Sequence, residues 1–331
     1  MTEKSISGKI FSALKTIIAA LLAITIASFL QLENTVSAGT VAILTIQPTK
    51  KETIKTAVNR ILAFLCATII AFISFKLIGF NMPAFGVFLI FFIFVSHILG
   101  YQHSVAMCAV IMSHFLRFGE MNFETIGNET LIFFIGVTTG VLSNMHLRKN
   151  TNYITILKSK TDIQIKKILM LMSKRVLDNT IKGYDEECFD TLRRSIRQAK
   201  NVADANYNNQ LRTKDRYDLD YIHMRDEQCQ LLYEMFKNLR TIHTTPFTAH
   251  VISDFLVEMS DVDDNHDATE DLMEKFREMD MGMKSKPLPV TRPEFEDRAK
   301  LFMLLRDIED FISIKLAFID KYSQGNKTEK N

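Results

Sequence analysis

The chain has 331 residues, of which 47% are hydrophobic and 24% charged, with a net charge of +2. That near-neutral balance gives no electrostatic basis for nucleic-acid binding, and it averages two unlike halves: residues 1–149 hold 11 Lys/Arg against 6 Asp/Glu, residues 150–331 hold 29 against 32. Cys66, Cys108, Cys188 and Cys229 show no CxxC spacing and predict buried thiols in a reducing setting rather than a metal or redox centre. A GK[ST] phosphate loop, HExxH and GxSxG are all missing, so the expectation is a protein that is not an enzyme and carries no cofactor or metal.

The first segment has Lys4, Lys9 and Lys15, followed by 17 uncharged residues from Thr16 to Leu32. Such a run reaches the short end of what crosses a hydrocarbon core of about 30 Å, so a first span over about 10–32 is expected. Gln31-Leu32-Glu33-Asn34 reads as a tight turn. A second span over 35–49 is short for a crossing and should tilt or lie beside a thinned region. The stretch Ser37–Arg60, SAGTVAILTIQPTKKETIKTAVNR, then passes from apolar to basic through Gln47-Pro48-Thr49. Proline removes a backbone donor and disfavours helix at the residue before it, so a helix break is expected at Pro48. Lys50, Lys51 and Lys55 then mark the inner face of a membrane.

Further spans are expected over 58–79, 82–99, 103–118 and 129–147, with a turn at Gly100–Ser104 and an outer loop over Gly119–Glu129. The 40 residues from Leu77 to Leu116 contain no Asp, Glu, Lys or Arg. Six spans place Lys4, Lys9, Lys15, Lys50, Lys51, Lys55, Arg60, Arg148 and Lys149 on one side and leave Lys76 and Arg117 on the other. That asymmetry predicts a multi-pass protein with both termini cytoplasmic.

Residues 150–323 predict a cytoplasmic helical domain. Ile154, Leu157, Thr161, Ile165, Ile168, Met172 and Val176 recur at three- and four-residue steps, as do Tyr221, Met224, Gln228, Leu231, Met235, Leu239 and Ile242. Helices are also expected over Cys188–Val202, after a Thr245-Pro246 cap carrying Phe247, Val251, Phe255 and Met259, and over Pro293–Tyr322 with Phe302, Leu305, Ile308, Ile312, Leu316 and Ile319 on one side. The acidic Ser260–Asp271 and the proline-containing Met281–Pro293 read as loops, and 324–331 as a disordered tail. The fold class is therefore all-α, a six-span transmembrane bundle followed by a cytoplasmic helical bundle.

The order of these elements, with AGTVAILTIQPTKKETIKTAVNR after the first span, NETLIFFIGVTTGVLSNMHLRKN as the last span, and YDLDYIHMRDEQCQLLYEM and RPEFEDRAKLFMLLRDIEDFI in the second half, resembles the bacterial aromatic acid exporter family, related to fusaric acid resistance proteins. The resemblance covers nearly the whole chain, in a form with one membrane unit and one soluble unit. It implies a bacterial cell membrane protein that exports a small aromatic or related amphipathic organic acid. The partners implied are that acid, membrane lipid and a second or further copy of the chain. In the absence of an ATP site, the proton gradient is the expected driving force.

Several residues are candidates for that chemistry. Arg60 is an ionisable group beside an apolar span, and its planar fork suits a carboxylate; the plainer reading is a snorkelling anchor at the interface. Lys51, Gln47 and Thr49 could line a substrate entrance at a broken helix, or simply cap a loop. His97 and His114 could relay protons, since imidazole titrates near physiological pH, or could be packed and hydrogen-bonded; His103 falls in a predicted turn. Asp261, Asp263, Asp264, His266 and Asp267 lack the glycine and terminal glutamate of a calcium loop and read as solvated. A different class of function, a membrane-anchored helical scaffold or regulator without transport, uses the same segments with the spans as anchor.

Overall fold

The computed structural model describes residues 3–145, 151–178, 185–211, 215–242, 247–262, 265–285 and 287–328. The Arg148-Lys149 flank, the Thr245-Pro246 cap, Asp263 and Asp264 lie outside the described residues, as does the end of the tail. Among the described residues the chain is all-α, without a strand. It divides into two compact units, residues 1–149 with 208–213, and residues 150–207 with 214–331.

The first unit contains α1 (Glu3–Phe29), α2 (Val36–Thr45), α3 (Lys50–Ile78), α4 (Met82–Leu99), α5 (Val105–Phe118) and α6 (Phe123–Asn144), with a 3₁₀ turn at Gln102–Ser104 before α5. Four of these helices are long and apolar enough to cross a membrane: Ser12–Phe29 within α1, then α3, α4 and α6. With 10 residues α2 spans about 15 Å, and with 14 residues α5 spans about 21 Å. Most large apolar side chains along these helices face outward, among them Ile17, Leu21, Ile69, Ile90 and Phe94. A soluble fold would bury them, whereas lipid accepts them without cost.

Two boundaries differ from the sequence expectation. The basic residues expected as a loop before a span at 58 are helical, because Thr49 caps α3 and lets it begin at Lys50. The outer loop expected to run to Glu129 ends at Asn122. That side chain accepts from Thr125 N at 2.9 Å while Thr125 Oγ1 accepts from Asn122 N at 3.0 Å, a reciprocal cap that starts α6 at Phe123.

Within this unit α1, α2 and α6 pack closely through small residues. A Cβ on Gly136 would stand 2.5 Å from the Ala38 carbonyl oxygen, and one on Gly140 would stand 2.9 Å from that of Ala42. Backbones this near require glycine, the small-residue packing that apolar helices use where no hydrophobic force separates them from lipid. Helices α3, α4 and α5 form a second cluster built on Phe75, Phe88, Phe92, Ile111, Met112 and Phe115. The Phe64 and Phe133 rings, stacked at 4.3 Å, join α3 to α6.

The second unit contains α7 (Thr151–Leu177), α8 (Glu186–Asn208), α9 (Tyr217–Arg240), α10 (Phe247–Asp261), α11 (His266–Lys284) and α12 (Arg292–Thr328). All seven positions of the first expected stripe are buried on α7. Phe302 is the exception on α12: it is exposed, and Leu301, Leu304, Leu305 and Ile308 form the core side instead. Part of the stretch expected as a tail is helical, since α12 runs to Thr328. Most of the acidic stretch from Asn265 also folds into a helix, α11. Asn265 caps it by accepting from Ala268 N at 2.8 Å, and Leu272, Met273 and Phe276 are buried. A buried ion pair ties three helices together: Arg225 Nε on α9 meets Asp162 of α7 at 2.9 Å, and Arg225 also donates to Gln228, whose amide donates to the Phe311 carbonyl of α12 at 2.9 Å.

Candidate functional site

The break between α2 and α3 is a structured polar knot. Helix α2 ends at Thr45, and Ile46 is extended. Thr49 then caps α3, its oxygen accepting from Glu52 N at 3.3 Å and its hydroxyl donating to Glu52 Oε2 at 3.0 Å. The Gln47 side chain donates to the Leu44 carbonyl. Asn144, at the end of α6 and 1% exposed, donates to the Gln47 carbonyl at 2.8 Å and the Thr49 carbonyl at 3.3 Å, and its carbonyl oxygen accepts from Lys15 of α1. Backbone groups freed by Pro48 are thus satisfied inside the unit. Lys51 is exposed on the first turn of α3.

Arg60 lies about 15 Å along α3 from Lys50, on the same face as Thr53 and Ala57. It is 3% exposed, so its guanidinium does not reach out to an interface. Nη1 sits 3.1 Å from the Met107 sulfur of α5, and Nε has no hydrogen-bond partner. Among the described residues no carboxylate lies within ion-pair distance of it. An enclosed cation with neither counter-charge nor full hydrogen bonding costs several kcal/mol.

The two candidate histidines have different surroundings. His97 is exposed on α4, and its Nδ1 meets only the Ile93 carbonyl one turn back, at 2.9 Å. His114 on α5 has Nδ1 2.8 Å from Glu129 Oε2, and its Nε2 is 3.4 Å from the Ser37 hydroxyl of α2. Glu129, expected to end an outer loop, is instead fully buried two turns into α6. Its Oε1 accepts from Asn34 and Asn128, each at 3.2 Å.

The family model for aromatic acid exporter family member 1 matches residues 7–147, and the model for the aromatic acid exporter C-terminal domain matches residues 152–316. The chain belongs to the aromatic acid exporter family. The uncharacterized protein YqjA of Bacillus subtilis (strain 168) is 25% identical over 321 residues, which make up 97% of this exporter-family chain and 98% of the relative. A crystal structure of a protein from Clostridium difficile 630, described only as a membrane protein, matches at 23% identity and a TM-score of 0.46, over 50% of this chain and 98% of the other.

In this family member the sequence candidates do not form one cluster. Gln47, Pro48 and Thr49 belong to the knot at the α2–α3 break, Arg60 stands two turns beyond Thr53, and His114 joins a separate network near the α1–α2 turn. Two residues central to those arrangements, Asn144 and Glu129, escaped the sequence reading. Asn122-x-x-Thr125 was the available signal for Glu129, because a cap there carries Glu129 inside the helix. The second unit holds a cavity of about 260 Å³ lined by Tyr217, Tyr221, Phe318, Tyr322, His266 and Lys315. Nearby cations are already matched, Lys158 by Asp218 at 2.8 Å and His266 by Asp320 at 3.0 Å. This cavity therefore offers an aromatic surface without the uncompensated charge found at Arg60.

Proposed function

We propose that this protein exports small aromatic carboxylates across a bacterial cell membrane, with Arg60 as the group that recognises the anion. The reading is carried by the burial of Arg60 with an unpartnered Nε and, among the described residues, no carboxylate within ion-pair distance. An incoming carboxylate supplies the missing counter-charge, and a guanidinium fork binds it through two parallel hydrogen bonds. The family assignment points to the same substrate class.

In this proposal all six helices of the first unit serve the crossing, with the short α2 and α5 completing the bundle. Lys50, Lys51 and Lys55 lie on the cytoplasmic face with both termini, as the distribution of basic residues favours. Lys51 raises the local concentration of anions at the entrance. The proton gradient drives export, and the chain works as a homodimer or higher homo-oligomer. The test is efflux of a hydroxybenzoate from cells and from reconstituted vesicles, with Arg60→Ala compared at equal protein level. A loss of tenfold or more is expected, the scale of one charge-assisted contact of about 1.5–3 kcal/mol. Wild-type efflux in that variant removes Arg60 from recognition.

A further inference from the structure

The network around Glu129 contains a choice of partners that needs explaining. A fully buried carboxylate in an apolar unit requires neutralisation or several donors. A fixed cation, Arg117 of α5, is at hand, yet it binds Glu33 at 3.2 Å and the Asn34 side-chain oxygen at 3.1 Å instead. Glu129 is left facing His114, whose imidazole can carry one ring proton or two. Asn34 holds a left-handed backbone, φ 57°, and its side-chain amide donates to Glu129. A purely structural tie would be better served by the permanently charged Arg117.

We propose that Glu129 and His114 form a proton-binding site, filled and emptied during the transport cycle. The proposal rests on the export reading and supplies its coupling ion. Uptake of one H⁺ from water converts neutral imidazole and carboxylate, net charge −1, into imidazolium and carboxylate, net charge 0; release is the reverse. In the empty state Nδ1–H donates to Glu129 and Nε2 accepts from Ser37. In the filled state both ring nitrogens donate, Nε2 now to the Ser37 oxygen, so the surrounding groups serve both states. Among the described residues, the nearby charged groups Glu33 and Arg117 are largely exposed and pair with each other at 3.2 Å. Position gives the site leverage. Ser37 and Glu129 sit at one end of the α2–α6 pair, Gly136 and Gly140 pack its middle, and Asn144 holds the α2–α3 break at its other end, about 22 Å from Glu129 along α6.

The test uses the full-length protein reconstituted in vesicles with a pH-sensitive dye inside and benzoate as the probe, which stays ionised from about pH 6 to about pH 8, the window where an imidazole changes charge. The wild type is expected to move protons in step with benzoate, and Glu129→Gln and His114→Gln to lose at least tenfold of that proton movement. In detergent, the wild-type Tm should vary with pH over the same window and the two variants should show flattened profiles. Wild-type proton movement together with a wild-type Tm profile in both variants overturns the site. If the wild type neither binds nor moves benzoate, the export reading fails, and the Tm profiles alone decide: a flattened profile upholds the proton site and coincident profiles overturn it. His114→Gln alters two contacts, those to Glu129 and Ser37, but keeps an amide that can still hydrogen-bond, so it keeps the test open should Glu129→Gln not fold.

Discussion

At the scale of single residues, the structure separates groups that look alike in sequence. His97 and His114 are both histidines in apolar helices, but one bonds only to its own helix backbone and the other meets a buried carboxylate. His97→Gln is therefore expected to leave the rate and pH dependence of hydroxybenzoate efflux within about twofold of wild type, since an exposed side chain off the network contributes little; efflux measured across pH in both proteins checks this. Arg60 was legible as a residue of interest, because a cation beside an apolar run is costly wherever it lies. Which way it points was not legible, because that depends on α5 bringing Met107 against it from 47 positions away. Glu129 was misread for a local reason: it follows a polar stretch, and only the Asn122–Thr125 cap reveals that the helix has already begun.

At the scale of elements, close helix contacts and caps carry the arrangement. Gly136→Ala places a methyl 2.5 Å from the Ala38 carbonyl oxygen, so α2 and α6 must part, at a cost of about 1–3 kcal/mol. Gly86→Ala on α4 meets nothing within 4 Å and should be neutral or slightly stabilising. The Tm of the two variants in detergent, side by side, distinguishes packing from intrinsic helix propensity. Asn144→Ala leaves the Gln47 carbonyl without its side-chain donor, takes one of several donors from the Thr49 carbonyl, and should cost about 1–3 kcal/mol. Protease sensitivity at the α2–α3 break should rise with it, seen as faster cleavage near Gln47. The missed helix α11 has a related explanation. Its charged residues dominate the composition, and the stripe of Leu272, Met273 and Phe276 is too short to stand out without the core it covers.

At the scale of the whole molecule, two compact units share one chain. The second is held by charge networks as well as its core. Burial alone would raise the Asp220 carboxyl, but hydrogen bonds from Lys321 and Tyr322 of α12, with the charges of Lys321 and Arg216, outweigh it and hold the group below the usual aspartate range. A depressed value in the folded state means that the stabilisation is present at neutral pH and is lost as pH falls through that value. Asp220→Asn should therefore lower the Tm of the second unit at neutral pH, by an amount corresponding to about 1 kcal/mol, and the gap from wild type should close in acid. Thermal scans of both proteins from neutral to acid pH test the sign.

The sequence by itself determined the apolar character of the first half, the helical class and the position of the α2–α3 break. These follow from uncharged run lengths, three- and four-residue periodicity and Pro48, all of which act locally along the chain. Only the tertiary structure decided that Arg60 is enclosed without a counter-charge, that Asn144 closes the break, and that Glu129 meets His114 rather than Arg117. Those outcomes depend on residues far apart in sequence that share a low-dielectric interior, where the free energy of a charge is set by what the fold brings beside it.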